Sequence, residues 1–366
     1  MNISPTNLSP ISSEIMPARM SYREALAAAM REALTRHDHT VIIGQGATDF
    51  KGIFGTITGL HREFPGRVIE TPLSEDAATG VCIGAALNGL YPINTHIRAD
   101  FGLLAINQLV NMAAKQKYMF GGLFSVPMMV RLVIGRSWGQ GAQHSQSLQS
   151  LFAHIPGLVV LMPSTPESIV RSYAHAVAHH AGPVLVLEHR LMYELVFDTA
   201  MHPPVTNPFG SHIQRVGKDV TIVATSIMVL EALRASANLA RYGIDCEIID
   251  LHSISHPDRE MIMTSVAKTG KLLVADTSWL AYGVAAEVCR IVAESDPGVL
   301  KAPVVTLGMA PAPCPTAKAL EDLYYPNLRD LMSAIVRLVR GADDPAIEMP
   351  SEHSMSDFYK KFRGPF

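Results

Sequence analysis

Residues 68–95, VIETPLSEDAATGVCIGAALNGLYPINT, contain the pattern that decides the fold. The apolar strand Val68–Glu70 leads through a short polar loop into a helical pattern over 77–90, and 92–95 has the composition of a second strand. Two strands joined by a helix of this length lie parallel in one sheet, and the helix covers one face of that sheet. The stretch therefore predicts an α/β domain.

The same alternation extends in both directions and predicts a mostly parallel, helix-covered sheet over 20–200. Upstream, Ser21 and Glu24 form a capping-box pattern that opens a helix, and residues 1–19 are expected to be a flexible leader. The further elements predicted in this unit are strands at 41–43, 126–134, 159–161 and 184–187, and helices at 105–118 and 166–179, the second of them capped by Thr165.

A second, smaller α/β unit is predicted over 219–342. Periodicity breaks near residue 195, and the proline- and glycine-rich residues 201–218 are expected to be a linker. The tail, 343–366, is expected either to wrap a neighbouring chain or to stay mobile. The elements predicted in the second unit are strands at 220–224, 246–250, 272–276 and 304–307, and helices around 230–241, 284–294 and 328–340.

Composition excludes several classes of protein. The chain has 366 residues, 48% hydrophobic and 17% charged, which suits large cores and not a disordered chain. With Lys+Arg at 30 against Asp+Glu at 33, no surplus of cations favours nucleic acid. No apolar stretch is long enough for a membrane span. The 4 cysteines are far apart, so we expect reduced thiols and a cytoplasmic protein.

The loop before the helix of the opening stretch is the first candidate site. Glu75 and Asp76 lie between a strand and an apolar helix, where α/β folds place ligands. The same carboxylates would also suit a purely structural helix N-terminus, and both interpretations stay open at this point. A nucleotide-binding glycine loop is not expected, because Gly44-Gln45-Gly46 is not followed by the remaining glycines of the known fingerprints.

The second candidate is the segment 135–146, GRSWGQGAQHSQ, in which glycines follow a buried strand and present His144. A structural histidine is the alternative interpretation. The pairs His179-His180 and His252/His256 have no cysteine or carboxylate to complete a metal site, so no metal ligand is assigned in this chain.

Taken in order, five segments resemble the β subunit of the thiamine-diphosphate-dependent 2-oxo acid dehydrogenase E1 component, a member of the transketolase superfamily. The second unit is similar to the transketolase C-terminal domain in DVTIVATS, GIDCEIIDLHSI, YGVAAEV and PCPTAKALE. The resemblance covers about 20–340. Its segments in the first unit are TPLSEDAATG, DFGLLAINQLVNMAAKQKYMFGG, GQGAQHSQ, IPGLVVLMPST and GPVLVLEHRLMYE.

The resemblance implies two three-layer α/β domains, a pyrimidine-binding domain followed by the transketolase C-terminal domain. It also implies thiamine diphosphate bound between two chains, with an α-type subunit holding the diphosphate and Mg²⁺. An α₂β₂ assembly, with a second copy of this chain, is expected. The implied activity is decarboxylation of a 2-oxo acid and transfer of the acyl or aldehyde fragment, with a lipoyl acyltransferase as one acceptor.

The same resemblance assigns roles to residues. Glu75 matches the catalytic glutamate that hydrogen-bonds the pyrimidine ring, Phe101 matches an aromatic that packs on that ring, and His144 matches a histidine used in proton handling or acyl transfer. Leu73 and Ile97 are assigned to the cofactor surface.

Arg98 and Asp100 depart from the family pattern, and with Gln143 and His144 they are assigned to the substrate. The hypothesis is that Arg98 pairs with a substrate carboxylate or phosphate, or with Asp100. A structural potassium ion bound by some relatives is in doubt, because residues 179–182 replace the stretch that helps to hold it.

Two other functions stay open at this stage. One is a split transketolase-type ketol transferase or acyloin synthase, which the polar Arg98 and Asp100 favour. The other is a non-catalytic β-like scaffold, which would have no need for Glu75, Phe101 and His144 together.

Overall fold

The structure, a computed structural model, describes residues 16–135 and 139–350. Most of the predicted leader and tail, together with Arg136, Ser137 and Trp138 of the second candidate segment, lie outside these ranges. Among the described helices, none combines the length and the hydropathy that crossing a membrane requires.

The first domain is a six-stranded sheet with helices on both faces, accompanied by a small antiparallel strand pair. Its elements in chain order are β1 (Arg19–Ser21), α1 (Tyr22–Arg36), β2 (Thr40–Gly44), α2 (Gly52–Gly55), α3 (Leu60–Glu63), β3 (Val68–Glu70), α4 (Glu75–Leu87), β4 (Tyr91–His96), α5 (Ala99–Gly102), α6 (Ala114–Met119), β5 (Met128–Ile134), α7 (Gln149–Ala153), β6 (Val159–Leu161), α8 (Pro166–His179), β7 (Pro183–His189) and β8 (Val196–Asp198).

All six strands of the main sheet are parallel, in the order β3-β2-β4-β5-β7-β6. The central strands β5 and β7 are buried along their whole length, which explains their largely apolar sequences, and the charged Arg131 and Glu188 within them pair with each other at 2.6 Å. The parallel sheet predicted from the opening stretch is confirmed.

Local capping signals place the helices that the sequence predicts most sharply. Ser21 and Glu24 form the predicted capping box of α1, and the Thr165 side chain accepts a hydrogen bond from the Ser168 backbone at the start of α8. Helix α4 ends three residues before the predicted limit of 90, because the chain turns at Asn88 and at Gly89, whose φ is +91°.

The structure differs from the prediction in two places in this domain. The predicted helix at 105–118 is part of a longer, broken run from α5 to α6 that includes a π-helical turn at Gln108–Ala113. In addition, Arg19, the last residue of the predicted leader, begins β1, which pairs antiparallel with β8 at the other end of the domain.

The second domain is a five-stranded sheet in the order β13-β12-β10-β11-β9. Strands β10 to β13 are parallel, and β9 is antiparallel to β11. Its elements are β9 (His212–Arg215), β10 (Val220–Ala224), α9 (Ile227–Ala240), β11 (Cys246–Asp250), α10 (Arg259–Thr269), β12 (Leu272–Trp279), α11 (Val284–Ser295), β13 (Val305–Met309), α12 (Lys318–Tyr324) and α13 (Leu328–Arg340).

Near both ends of this domain, residues predicted as linker or tail belong to the sheet or to the apolar core. Strand β9 lies inside the predicted linker 201–218, and short antiparallel edge strands of this kind carry no strong apolar pattern. Ile347, in the predicted tail, is 5% exposed and belongs to the main apolar core.

The two domains are joined by backbone hydrogen bonds and by shared apolar cores. The Met162 backbone N–H donates to the His252 carbonyl at 2.8 Å, and the Ile254 N–H donates to the Val160 carbonyl at 2.8 Å. Each of the two large apolar cores also contains residues from both domains. The second sheet is therefore joined to the β6 edge of the first.

Candidate functional site

A small, open cleft lies at the carboxyl edge of the first sheet. Strand β2 stands between β3 and β4, so the chain reverses its direction across the sheet at this point. Open α/β sheets bind ligands at such reversals, because the loops on either side diverge there. The residues lining the cleft are Gly44, Gln45, Thr71, Pro72, Leu73, Ser74, Glu75, Ala78, Asn94, Thr95, His96 and Ile97.

Glu75 lies in this cleft as the first residue of α4 and is half-buried. Its position at a helix N-terminus favours the carboxylate electrostatically. Leu73 and Ile97 line the same cleft, and the Leu73 side chain is 72% exposed at its mouth. The structure therefore brings three of the assigned cofactor residues together.

Two buried polar groups in the cleft have no partner in the described part of the chain. These are the Asn94 side-chain oxygen and the Thr95 hydroxyl, at the end of β4. The Asn94 amide nitrogen is engaged, since it donates to the Cys82 sulfur at 3.4 Å. A buried acceptor without a donor is costly, so this strand end suits a ligand that presents hydrogen-bond donors.

His96 completes the same strand end. Its Nε2 lies 3.1 Å from the Thr79 hydroxyl on α4. Burial lowers the pKa of His96 to about 4, so the ring is neutral near pH 7 and adds no positive charge to the cleft.

Glu70 shapes the wall of the cleft. Its carboxylate accepts hydrogen bonds from the backbone of Gly46 at 2.6 Å and of Thr48 at 2.8 Å. These bonds fix the loop after β2, whose first residue in the cleft is Gln45.

The side chains of Phe101 and His144 form an aromatic pair. Their ring centroids are 5.1 Å apart in an edge-to-face arrangement, and both side chains are half-buried. Phe101 lies in α5, four residues after Ile97, and neither ring of the pair is among the residues that line the cleft. The structure thus brings the two rings into contact but does not place them among the residues that line the cleft.

Arg98 and Asp100 are nearly buried, at 3% and 8% exposed. Arg98 donates to the Gly135 carbonyl at 2.7 Å and bonds the Gln140 side chain. Asp100 accepts from the backbone and side chain of Gln146. Burial lowers the pKa of Arg98 to about 10 and raises the pKa of Asp100. Both side chains therefore contact the segment that carries His144.

The remaining candidates, Gln143 and the paired histidines, are not among the residues that line the cleft. Gln143 is exposed. His252 is buried with its ring nitrogen 3.0 Å from the Pro208 carbonyl, and His180 packs against the Phe209 ring. Over 16–135 and 139–350, no three His, Cys, Asp or Glu side chains are grouped so as to hold a metal ion.

Sequence reasoning missed the polar strand end Asn94 to His96 and the supporting Glu70. The available signal was their position, since each follows or ends a predicted strand of a parallel sheet. Their hydrogen-bond state depends on the packing of α4 and of the loop after β2, which no local pattern encodes.

Comparison with known proteins agrees with this architecture. The transketolase pyrimidine-binding domain model matches residues 18–195, and the transketolase C-terminal domain model matches residues 210–331. The split-gene transketolase solved as an inactive β4 tetramer superposes with a TM-score of 0.70, covering 88% of this chain and 98% of that one. At 23% sequence identity this likeness concerns the fold alone.

Two curated relatives are much closer in sequence. The acetoin:2,6-dichlorophenolindophenol oxidoreductase subunit beta of Cupriavidus necator is 36% identical over 337 residues, which cover 89% of this chain and 99% of the relative. The mitochondrial pyruvate dehydrogenase E1 component subunit beta of Bos taurus is 38% identical over 323 residues, covering 87% and 90%.

Proposed function

The chain belongs to the family of E1 β subunits built from the two transketolase-type domains, and we propose that it is the β half of a heteromeric enzyme dependent on thiamine diphosphate. The observation that carries the proposal is Glu75, half-buried in a cleft at the carboxyl edge of the sheet, whose lining also includes Asn94 and Thr95, each with a buried side-chain oxygen that has no partner among the described residues.

The described residues suit an aminopyrimidine ring. The Asn94 oxygen and the Thr95 hydroxyl would accept its N–H groups, and the Glu75 carboxyl group would share a proton with a ring nitrogen. Leu73 and Ile97 would cover its apolar surface. Phe101 would pack on the ring, and His144, held against Phe101, would donate or accept a proton beside the substrate.

Thiamine diphosphate, when bound, supplies a thiazolium ring that accepts the electron pair released when a bond next to a ketone is broken. This chain would orient the cofactor, hold the proton at Glu75 and handle the substrate proton at His144. The diphosphate and Mg²⁺ would be held by an α-type subunit, since the described residues contain no group of metal ligands to hold Mg²⁺.

Large apolar side chains exposed in the first domain support a second subunit. Leu73 at the cleft, Val81 on α4 and Leu104 are 72%, 62% and 61% exposed, and Tyr118 and Leu123 are 89% and 83% exposed. Exposed apolar surface is a feature of interfaces between proteins. We propose that an α-type subunit and a second copy of this chain cover it in an α₂β₂ assembly. A cytoplasmic location is part of the proposal and suits four cysteines that are not joined in disulfides.

The proposed substrate is a 2-oxo acid that loses carbon dioxide. A second candidate is an acyloin such as acetoin, because one relative that this chain matches over almost its full length is named for acetoin oxidation. Both substrates break a carbon–carbon bond next to a ketone, so the same residues would serve either one.

Co-expression with an α-type E1 subunit tests the proposal. The purified complex should bind thiamine diphosphate with Mg²⁺ in calorimetric titration, and it should reduce dichlorophenolindophenol with pyruvate, branched 2-oxo acids or acetoin. A Glu75→Gln complex of unchanged assembly should be nearly inactive. Absence of cofactor binding both with and without the α-type chain would contradict the proposal and favour a scaffold.

A further inference from the structure

The segment 139–146, here called the His144 loop, is held near its start by Arg98. The guanidinium donates through Nη1 to the carbonyl of Gly135 at 2.7 Å and through Nη2 to the side-chain oxygen of Gln140. These two acceptors lie five residues apart in sequence. A planar guanidinium can serve both at once because its N–H groups diverge in a fixed fork.

The end of the same loop is held by Asp100. Its Oδ1 accepts hydrogen bonds from the Gln146 backbone N–H at 3.2 Å and from the Gln146 side-chain amide at 2.9 Å. Arg98 and Asp100 flank Ala99, and Phe101 follows directly. One short turn of chain therefore contacts both ends of the His144 loop and also carries the ring against which His144 packs.

The second domain closes the opposite side of the loop. Gly139 and Gly141 have φ of +70° and +73°, and a Cβ at either position would lie 2.7 Å from Thr316, at its carbonyl and hydroxyl oxygens respectively. Tyr325 approaches the Ser145 carbonyl at 3.5 Å. The loop is thus enclosed between Arg98 and Asp100 on one side and residues of the other domain on the other.

We infer that Arg98 and Asp100 are positioning residues for His144 in the reaction proposed above, and do not recognise a charge on the substrate. Together they tie the ring of His144 to the ring of Phe101, so that the proton-handling group keeps a fixed place relative to the cofactor surface. This inference rests on the proposed function. It assigns the two departures from the family pattern to geometry, since Arg98 bonds Gly135 just before the loop and Gln140 within it, and Asp100 Oδ1 accepts twice from Gln146. The other carboxyl oxygen, Asp100 Oδ2, is buried without a partner among the described residues.

In the reconstituted complex, conservative substitutions of Arg98 and Asp100 distinguish the effect of lost side-chain geometry from the effect of lost charge. Arg98→Lys keeps the positive charge but loses the fork, so it should lower kcat roughly 10- to 100-fold, as Arg98→Gln does, because small misplacements of a catalytic group have costs of this size. Asp100→Asn loses the charge but keeps a carbonyl oxygen for Gln146, so it should retain activity within about 3-fold, whereas Asp100→Ala should lose as much as Arg98→Gln.

The KM for the 2-oxo acid should change by less than about 3-fold in all four variants, because binding of the substrate charge is not altered. The opposite pattern would overturn the inference: a KM preserved in Arg98→Lys but raised more than about 10-fold in Arg98→Gln, with kcat unchanged, would assign Arg98 to the substrate. Equal losses in Asp100→Asn and Asp100→Ala would likewise assign the Asp100 charge to the reaction.

Hydrogen exchange on the full chain without cofactor provides a readout independent of activity. Asp100→Ala and Arg98→Gln should speed amide exchange in peptides covering 139–146 by about 10-fold or more, while Asp100→Asn should leave them close to wild type. Unchanged exchange in all variants would overturn the inference even in an active enzyme. Faster loop exchange in a complex that never turns over any substrate would instead contradict the proposed function alone.

Arg171→Gln is the matched control. Arg171 forms a partly exposed ion pair with Glu167 at 2.7 Å on α8, away from the loop. The variant also removes an arginine from an ion pair, but it should change neither kcat nor exchange in 139–146. If Arg171→Gln also lost activity, the effect of Arg98→Gln would be explained by general destabilisation. That result would contradict the inference.

Discussion

The two sheets differ in how the carboxylates at their carboxyl edges are used. At the first sheet, the half-buried Glu75 lines a cleft together with Asn94 and Thr95, whose buried side-chain oxygens have no partner among the described residues. At the second sheet, the buried carboxylate of Asp276 accepts from Thr225 at 2.5 Å, from Gln149 at 2.9 Å and from Thr277 and Ser278 of its own strand. The Gln149 oxygen and the Thr277 hydroxyl there still lack partners in the described part of the chain. We call the first edge open and the second filled, because protein donors engage the carboxylates of the second.

The groups that fill the second edge come partly from the first domain. Gln149 lies on α7, and Ser164, which donates to Asp250 at the end of β11, follows β6. The carboxyl edge of the second sheet thus helps to join the two domains. Strand topology alone does not distinguish the two edges.

Replacing Glu75, the carboxylate at the open edge, should have the largest effect on activity. Glu75→Ala should lower kcat of the reconstituted complex by about 1,000-fold or more, because the proton held on the cofactor ring is lost. The melting temperature of the chain should stay near wild type, since Glu75 is half-buried and its cleft is open. Steady-state kinetics and a thermal melt check both parts; a large loss of stability would show that Glu75 is structural.

At the filled edge, replacing the carboxylate of Asp276 should lower the free energy of unfolding. Asp276→Ala leaves buried donors of Gln149, Thr225 and Ser278 unpaired, and should cost about 3 kcal/mol of stability, or roughly 4 °C in melting temperature. Asp343→Ala is the control, because its ion pair with Arg337 is exposed and its loss should leave the melting temperature near wild type. Equal melting temperatures for the two variants would contradict the contrast between the edges.

Asp250 makes the filled edge sensitive to pH. Burial raises the pKa of its carboxyl group to about 7, against an ordinary value of 3.8. Between these values the folded chain keeps a proton that the unfolded chain has lost, so this group makes the free energy of unfolding fall as pH rises. Burial lowers the pKa of the neighbouring His252 to about 3 and of His212 to about 4, against an ordinary value of 6.5, so these rings contribute the opposite slope between those values. Comparison of a variant with the wild type isolates the contribution of Asp250.

Asp250→Asn cannot lose that proton. Its stability relative to wild type should therefore increase from pH 5 to pH 7, by on the order of 1 kcal/mol per pH unit. Chemical denaturation at several pH values measures the two slopes. Parallel stability profiles for the variant and the wild type would contradict this account of Asp250.

The smallest effect is expected at the wall of the open edge. Glu70→Gln keeps one acceptor for the backbone of Gly46 and Thr48 but weakens the pair of charge-assisted bonds. Calorimetry should show thiamine diphosphate affinity reduced about 3-fold, which corresponds to less than 1 kcal/mol. Glu63→Gln, which removes an exposed ion pair with Arg31, should leave the affinity unchanged.

Local patterns predicted most of the architecture. The capping boxes at Ser21 and Thr165 and the apolar runs of β5 and β7 encode their structure within a few residues, and both α/β domains are found as expected. The pairing of β1 with β8 joins residues about 180 positions apart through short strands, so no nearby signal exists for it.

The candidate site was predictable only in part. The position of Glu75 follows from strand–loop–helix order, whereas the role of Arg98 depends on partners at Gly135 and Gln140, on the loop after a different strand. A sequence shows that a buried guanidinium needs acceptors but not which ones it finds. The catalytic and binding roles assigned to Glu75, Phe101 and His144 stay predictions.

An experimental structure of the complex with the α-type chain, thiamine diphosphate and Mg²⁺ tests the central claim most directly. The account predicts a carboxyl oxygen of Glu75 within about 3 Å of a pyrimidine ring nitrogen, with the diphosphate held by the other subunit. A cofactor bound away from the cleft, or Glu75 surrounded by solvent in the assembled complex, would contradict it.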